Sequence, residues 1–363
     1  TAVTVAVFGF AQVYTGVEHP SDVLPAATAG VAIPLVLYRL LAPEAAFPIA
    51  YRTGRTAHLD VTGARGAAIR QALLRQLGVE VVEIERIGLE GSAGSTPLRI
   101  SQVDGPDLFA KLYASTHLRS DRSYKLWRTL VYGQLEDEHR FTSVRRLVQH
   151  EDYILHVLAR AGIDSMAPVG VVEITPDREY LMVSEFLDGA VEAGEAEVTT
   201  AVIDSGLSAV AKLWDAGLAH RDIKPANVMV QGDRVRLIDV SFSEVRPSPW
   251  RQAVDLANMM LVLALRSDPE LVYERARLQF SDDDIAEAFA ASRGVTLPSA
   301  LRADVKRDGR ELLHRFRELA PAREPVAIQR WSLRRVGLIA WVLTVGLVVV
   351  GIFVESLRAV GLR

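Results

Sequence analysis

The chain has 363 residues, a formal net charge of −4 and a pI near 6.1, so it lacks the basic surplus of a nucleic-acid binder. Cysteine is absent, which excludes disulfides and thiolate zinc sites and suits a reducing interior. Hydrophobic residues make up 49% of the chain, and the mean hydropathy of +0.16 reflects apolar runs at the two ends.

The first run, Thr1 to Val17, has no basic stretch before it and no small-residue cleavage site after it. That speaks against a signal peptide and predicts a chain that begins partway through a larger membrane protein. A second run, Val23 to Leu41, approaches the ~20 residues that cross a bilayer. Its Pro25, Gly30 and Pro34 are tolerated in membrane helices. Membrane helices are therefore expected over residues 1–41. Ala11 to Asp22 reads AQVYTGVEHPSD. It resembles the third motif of the type-2 phosphatidic acid phosphatase family, which runs Ser-Arg, five residues, His, three residues, Asp. Ala11 and Gln12 stand at the Ser and Arg positions, Glu18 at the histidine and Asp22 at the aspartate, while His19 is one position off register. The resemblance implies a phosphatase-derived membrane remnant that has lost its phosphate-binding charge and its base.

A linker over residues 42–66 leads to a helical pattern at Ala67–Leu77, ended by Gly78. Val79–Gly88 alternates as a strand does, and a glycine-rich turn at Gly88–Ser95 separates it from Pro97–Ile100. Gly91 and Gly94 in that turn would let backbone N–H groups approach phosphates. Lys111 stands inside the apolar strand Leu108–Tyr113, where an ammonium group needs a partner. An insertion follows at Ser115–Glu138, with a helix around Tyr124–Val131. Leu147, Ile154, Leu155 and Leu158 then form an apolar helix stripe that Gly162 ends. Glu151 on this helix is the candidate partner of Lys111, with Asp152 and Glu138 as alternatives. Leu181–Ser184 reads as a strand entering Glu185-Phe186-Leu187, and Ser208–Leu218 as a helix whose Leu213 and Trp214 belong to the core.

The most informative stretch is His220-Arg221-Asp222-Ile223-Lys224-Pro225-Ala226-Asn227, followed by Leu237-Ile238-Asp239. In order and spacing it resembles the catalytic loop and metal-binding strand of the protein-kinase-like superfamily. The resemblance implies an α+β two-lobed protein-kinase-like fold over residues 67–322, with the first lobe at about 67–184 and the second at about 188–322. It makes Asp222 the base for an attacking hydroxyl, and Lys224 a charge beside the transferred phosphoryl group. Asn227 and Asp239 become ligands for Mg²⁺ on the phosphates of ATP. Lys111, paired with Glu151, would contact the α/β-phosphates, Gly91 and Gly94 would cover them, and the backbone of Glu185, Phe186 and Leu187 would bind adenine. Val240-Ser241 replaces the usual Phe-Gly, and only residues 240–254 separate Asp239 from Asp255, which resembles the buried aspartate bracing the catalytic loop. No Ala-Pro-Glu motif follows, so the resemblance is closer to aminoglycoside and choline-type phosphotransferases, lipopolysaccharide-core kinases and RIO-like kinases.

Leu301–Leu319 reads as one amphipathic helix, stopped by Pro321 and Pro325. A basic linker over 323–335 precedes the uncharged run 336–354, which predicts a transmembrane helix. Arginines 39, 52, 55, 65, 330, 334 and 335 flank the apolar segments and place everything between them in the cytoplasm. The combined expectation is a kinase held at the cell membrane that transfers the γ-phosphate of ATP to a hydroxyl of a small-molecule, lipid or protein acceptor. Tethering would favour a lipid-linked acceptor. ATP, Mg²⁺, the lipid bilayer and membrane domains of the same chain are the expected partners, and nucleic acid is not. The alternative is a nucleotide-binding pseudokinase module that regulates those membrane domains.

Overall fold

The computed structural model describes residues 2–16, 18–19, 21–23, 26–30, 33, 61, 63–87, 95–113, 143–175, 179–292, 296–324 and 333–359. The chain divides into one unit of Thr1–Ala50 with Gln329–Arg363, and a second of Tyr51–Ile328. In the first unit, helix α1 (Ala2–Tyr14) has 13 residues. At 1.5 Å per residue it spans about 20 Å, short of the ~30 Å hydrocarbon layer. The helix Leu333–Ala359 has 27 residues, its apolar run punctuated by Gly337, Thr344, Gly346 and Gly351 and flanked by Arg334, Arg335, Glu355 and Arg358. Among the described residues, no helix is long and apolar enough to cross a membrane. The expected transmembrane helices at 1–41 and 336–354 are corrected accordingly. The membrane localisation goes with them, because the flanking arginines orient a chain only when there is a spanning helix to orient. Most of 23–41 lies outside the described residues.

The second unit is an α+β arrangement built on an antiparallel sheet. Helix α2 (Gly63–Leu77) precedes β1 (Val81–Arg86), β2 (Thr96–Gln102) and β3 (Leu108–Tyr113). Helix α3 (Val144–Arg160) follows, then β4 (Pro168–Thr175) and β5 (Glu179–Glu185). The strands lie in the order β1-β2-β3-β5-β4. Strand alternation decides what each face meets. Leu98, Ile100, Leu108, Ala110, Leu112, Leu181 and Val183 pack with Ile69, Ala72 and Leu73 of α2 on one face. Each fully buried leucine or isoleucine there contributes about 2 kcal/mol of transfer free energy. Tyr113, Tyr180 and Met182 join the larger cluster on the other face, with Leu147, Ile154, Leu155 and Leu158 of α3. A buried ion pair, Arg65 to Glu179 at 2.8 Å, ties the start of α2 to the start of β5.

The remaining elements are mostly helical. They comprise β6 (Val191–Glu192), α4 (Thr200–Asp215), β7 (Leu218–Ala219), β8 (Val228–Gln231), β9 (Arg234–Leu237) and β10 (Glu244–Val245). Then come α5 (Pro249–Ala264), α6 (Pro269–Ala276), α7 (Asp282–Ala291), α8 (Ser299–Asp308) and α9 (Leu312–Leu319). Strands β6-β8-β9 form one small sheet and β10-β7 another. Helix α5 is buried from Ala253 to Ala264, so its apolar residues run all round rather than along a stripe. The single helix expected over 301–319 is two helices, because Gly309 adopts a left-handed φ of 75° that ends the first. The break has a use: the Arg310 guanidinium donates to the carbonyls of Ala264, Leu265 and Ser267, groups that the end of α5 leaves open.

Candidate active site

Between β7 and β8 the backbone makes a tight turn that no hydrophobic pattern would impose. Arg221 sits at φ 67°, a left-handed conformation that costs a residue with a Cβ about 1 kcal/mol or more. Three contacts hold it. The fully buried Asp255 of α5 accepts the backbone N–H of His220 at 2.5 Å and of Arg221 at 2.9 Å. The Arg221 side chain pairs with Glu244 of β10 at 2.9 Å. The His220 ring lies 3.0 Å from the Ile238 carbonyl through Nε2. Burial lowers the pKa of His220, so the ring is neutral and Nε2 carries the proton that it donates. Burial also pushes the Asp255 carboxyl up to about 7, against the two backbone N–H groups and the Arg221 and Arg251 charges.

This turn presents Asp222. Its Oδ2 accepts from Lys224 Nζ at 2.7 Å and from Asn227 Nδ2 at 2.9 Å, and the same amide nitrogen donates to the Asp222 carbonyl at 2.9 Å. Burial raises the pKa of Asp222, and the Lys224 ammonium opposes that rise. The loop therefore holds a carboxylate whose Oδ2 is fully engaged.

A second group of side chains meets at Lys111. Alternation aims Leu108, Ala110 and Leu112 at α2, so Lys111 points to the opposite face, where α3 lies. Its Nζ is 2.5 Å from Asp239 Oδ1 and 3.5 Å from Glu151 Oε2. The other Glu151 oxygen accepts from Tyr113 OH at 2.5 Å and from Ser241 Oγ at 2.6 Å. Ser241 Oγ is also 2.7 Å from Asp239 Oδ1, which closes a ring of Lys111, Asp239, Ser241 and Glu151. Burial alone would lower the pKa of Lys111, yet the Asp239 and Glu151 charges raise it well above the ordinary lysine value. Burial alone would raise Asp239, and the ammonium of Lys111 with the Ser241 hydroxyl instead holds it far below the carboxylate range. Asp239 has left-handed backbone, φ 59° and ψ 68°, a further strained residue at the same place.

Of the alternatives to Glu151, Asp152 turns towards His156 on its own helix at 3.7 Å, and Glu138 lies outside the described residues. Gly91 and Gly94 also lie outside them. Glu185 ends β5, where Oε2 accepts from the Ala167 N–H at 3.3 Å and pairs with Arg236 at 3.2 Å. Phe186 lies under the Arg99 guanidinium at 4.7 Å, and the Leu187 carbonyl accepts from the Ala190 N–H. Sequence reasoning missed Tyr113, Ser241, Glu244 and Arg99. The hydroxyl two residues after Asp239 was visible as a departure from Phe-Gly, but only the fold shows it bridging two carboxylates.

The donor set fits Mg²⁺ bound together with phosphates. Asn227 has its amide nitrogen committed to Asp222, which leaves its oxygen as a ligand, and Asp239 keeps Oδ2 clear of Lys111 and Ser241. Among the described residues no group of three or more His, Asp or Glu could hold a metal alone. A site of one carboxylate and one amide oxygen suits an ion that takes its remaining ligands from phosphates and water. No protein-family model matches the chain, and no curated protein matches it either.

Proposed function

We propose that the protein is an ATP-dependent phosphotransferase acting on a hydroxyl acceptor. The observation that carries this reading is the junction of the Lys111–Glu151–Asp239 ring with the braced Asp222–Lys224–Asn227 loop, tied where the Ile238 N–H, next to Asp239, donates to the Asn227 carbonyl at 3.0 Å. Phosphoryl transfer asks little covalent chemistry of the protein and much positioning and charge. Lys111 would hold the phosphate chain, its position fixed by two carboxylates. Asp222 would take the acceptor proton on Oδ1, since Oδ2 is already occupied by Lys224 and Asn227. Lys224 would offset charge that grows between acceptor and phosphoryl group. Asn227 and Asp239 would hold Mg²⁺, which, when bound, neutralises phosphate charge and orients the transferred group. Small-molecule, lipid and protein hydroxyls all fit this chemistry.

The test is Mg²⁺-ATP binding and turnover by the full chain beside Asp222→Asn and Lys111→Met. The expected result is turnover lost by 10²-fold or more in Asp222→Asn with nucleotide binding kept, and binding itself lost in Lys111→Met. Turnover unchanged in Asp222→Asn would refute the role of that residue. Wild-type binding with no turnover against any hydroxyl acceptor would leave a nucleotide-binding module instead.

A further inference from the structure

Lys111 and Tyr113 are next-but-one neighbours on β3, so both side chains leave the sheet on the face that meets α3. Their tips reach the same carboxylate. Tyr113 OH donates to Glu151 Oε1 at 2.5 Å, while Lys111 Nζ stands 3.5 Å from Glu151 Oε2 and 2.5 Å from Asp239 Oδ1. The ammonium is thus drawn towards Asp239 and is not the group that fixes Glu151. Ser241 Oγ is the other neighbour of Oε1, at 2.6 Å, but its single hydroxyl hydrogen also has Asp239 Oδ1 within reach at 2.7 Å.

The Tyr113 hydroxyl has no such choice: among the described residues Glu151 is its one hydrogen-bond partner. Burial and the Glu151 charge raise the pKa of Tyr113, so the phenol keeps the proton that it donates. Its ring is buried in the core cluster with Leu147 and Ile154 of α3, which sets the hydroxyl in place. Glu151 is fully buried, so solvent cannot stand in for a donor that is removed. We infer that Tyr113 is a positioning residue for nucleotide binding, acting through Glu151 on Lys111. With Oε1 pinned, the planar carboxylate keeps Oε2 towards the ammonium. When Asp239 turns to a metal its hold on Lys111 weakens, and Glu151 is the carboxylate left to orient the ammonium towards phosphate. This inference rests on the phosphotransferase reading, because Lys111 must first hold the phosphates.

The deciding experiment measures Mg²⁺-ATP binding by calorimetry on the full chain as wild type, Tyr113→Phe, Glu151→Gln and the double variant. Phenylalanine keeps the ring in the core and removes the hydroxyl alone. Tyr113→Phe is expected to weaken Mg²⁺-ATP about tenfold, the scale of one hydrogen bond to a buried charge, and Glu151→Gln by at least as much. In the Glu151→Gln background the tyrosine change should add less than about twofold, because Tyr113 acts only through the carboxylate. That comparison strands no charge at Glu151, and so covers a poorly folding Tyr113→Phe. A tyrosine that only supports the core would lower the melting temperature and leave affinity, measured well below it, unchanged. Unchanged affinity in Tyr113→Phe, or the same tenfold loss repeated in the Glu151→Gln background, would overturn the inference while leaving phosphotransfer intact. If Mg²⁺-ATP does not bind the wild type, the phosphotransferase reading fails and this one with it.

Discussion

Arg65→Met removes a guanidinium that is almost wholly enclosed, 4% exposed, and 2.8 Å from a Glu179 carboxylate at 9% exposure. Methionine keeps most of the apolar stem, so the change isolates charge from packing. The variant leaves Glu179 inside the protein without its guanidinium, and breaking a buried pair from one side costs about 3–5 kcal/mol. Taking about 4 kcal/mol and a urea slope of about 2 kcal/mol per molar, the unfolding midpoint should fall by about 2 M. The cycle with Glu179→Leu decides what the loss means. Arg65→Met/Glu179→Leu should be less destabilised than the two single costs added, by about 2 kcal/mol, because the double variant leaves neither member of this pair facing the other's absence. Urea unfolding followed by tryptophan fluorescence gives all four midpoints. Costs that simply add would refute the reasoning, and the hold of α2 on the sheet would then rest on its other contacts, among them the packing of Ile69, Ala72 and Leu73.

The Lys111–Asp239 pair makes an acid-side prediction. A carboxyl held low in the folded state contributes stability above its unfolded pKa of ~3.9, and that contribution is lost as pH falls towards the depressed folded value. The gap in urea midpoint between wild type and Asp239→Asn should narrow steadily below pH ~4, and a gap independent of pH would contradict it. Ser241→Ala removes the hydroxyl bridging Glu151 and Asp239, and should cost about 1 kcal/mol in stability while weakening Mg²⁺-ATP binding severalfold. Unchanged nucleotide affinity in Ser241→Ala would make the bridge incidental. Gly309→Ala places a Cβ at φ 75° and should cost about 1–2 kcal/mol, read as a drop in melting temperature. An unshifted melting temperature would show that α8 can end without the left-handed residue.

The sequence carried the positions of Asp222, Asn227 and Asp239 because their spacing is local, and it carried Glu151 because helical phase puts it on the stripe of Leu147, Ile154 and Leu158. It could not show Tyr113 and Ser241 closing on Glu151. Those contacts join β3, α3 and the turn after β9, and depend on which face each strand presents. The amphipathic period runs without interruption through Gly309, so 301–319 read as one helix, although a single backbone angle divides it. The apolar ends misled in another way. A run of apolar residues says nothing of where the helix within it ends: α1 stops at Tyr14, and among the described residues no helix is long and apolar enough to cross a bilayer.

Under the proposed function, the charges gathered around Lys111 and Asp222 bear on how a donor would arrive. Two ammonium groups, Lys111 and Lys224, face three carboxylates, Glu151, Asp222 and Asp239. These five side chains thus carry a surplus of one negative charge, and the nucleotide proposed for them is itself a polyanion. Bare nucleotide would approach against that field, whereas nucleotide already paired with a divalent cation would approach with much of the repulsion cancelled. Cation and nucleotide should therefore enter together, and the site would reject free triphosphate before any contact with the base is made.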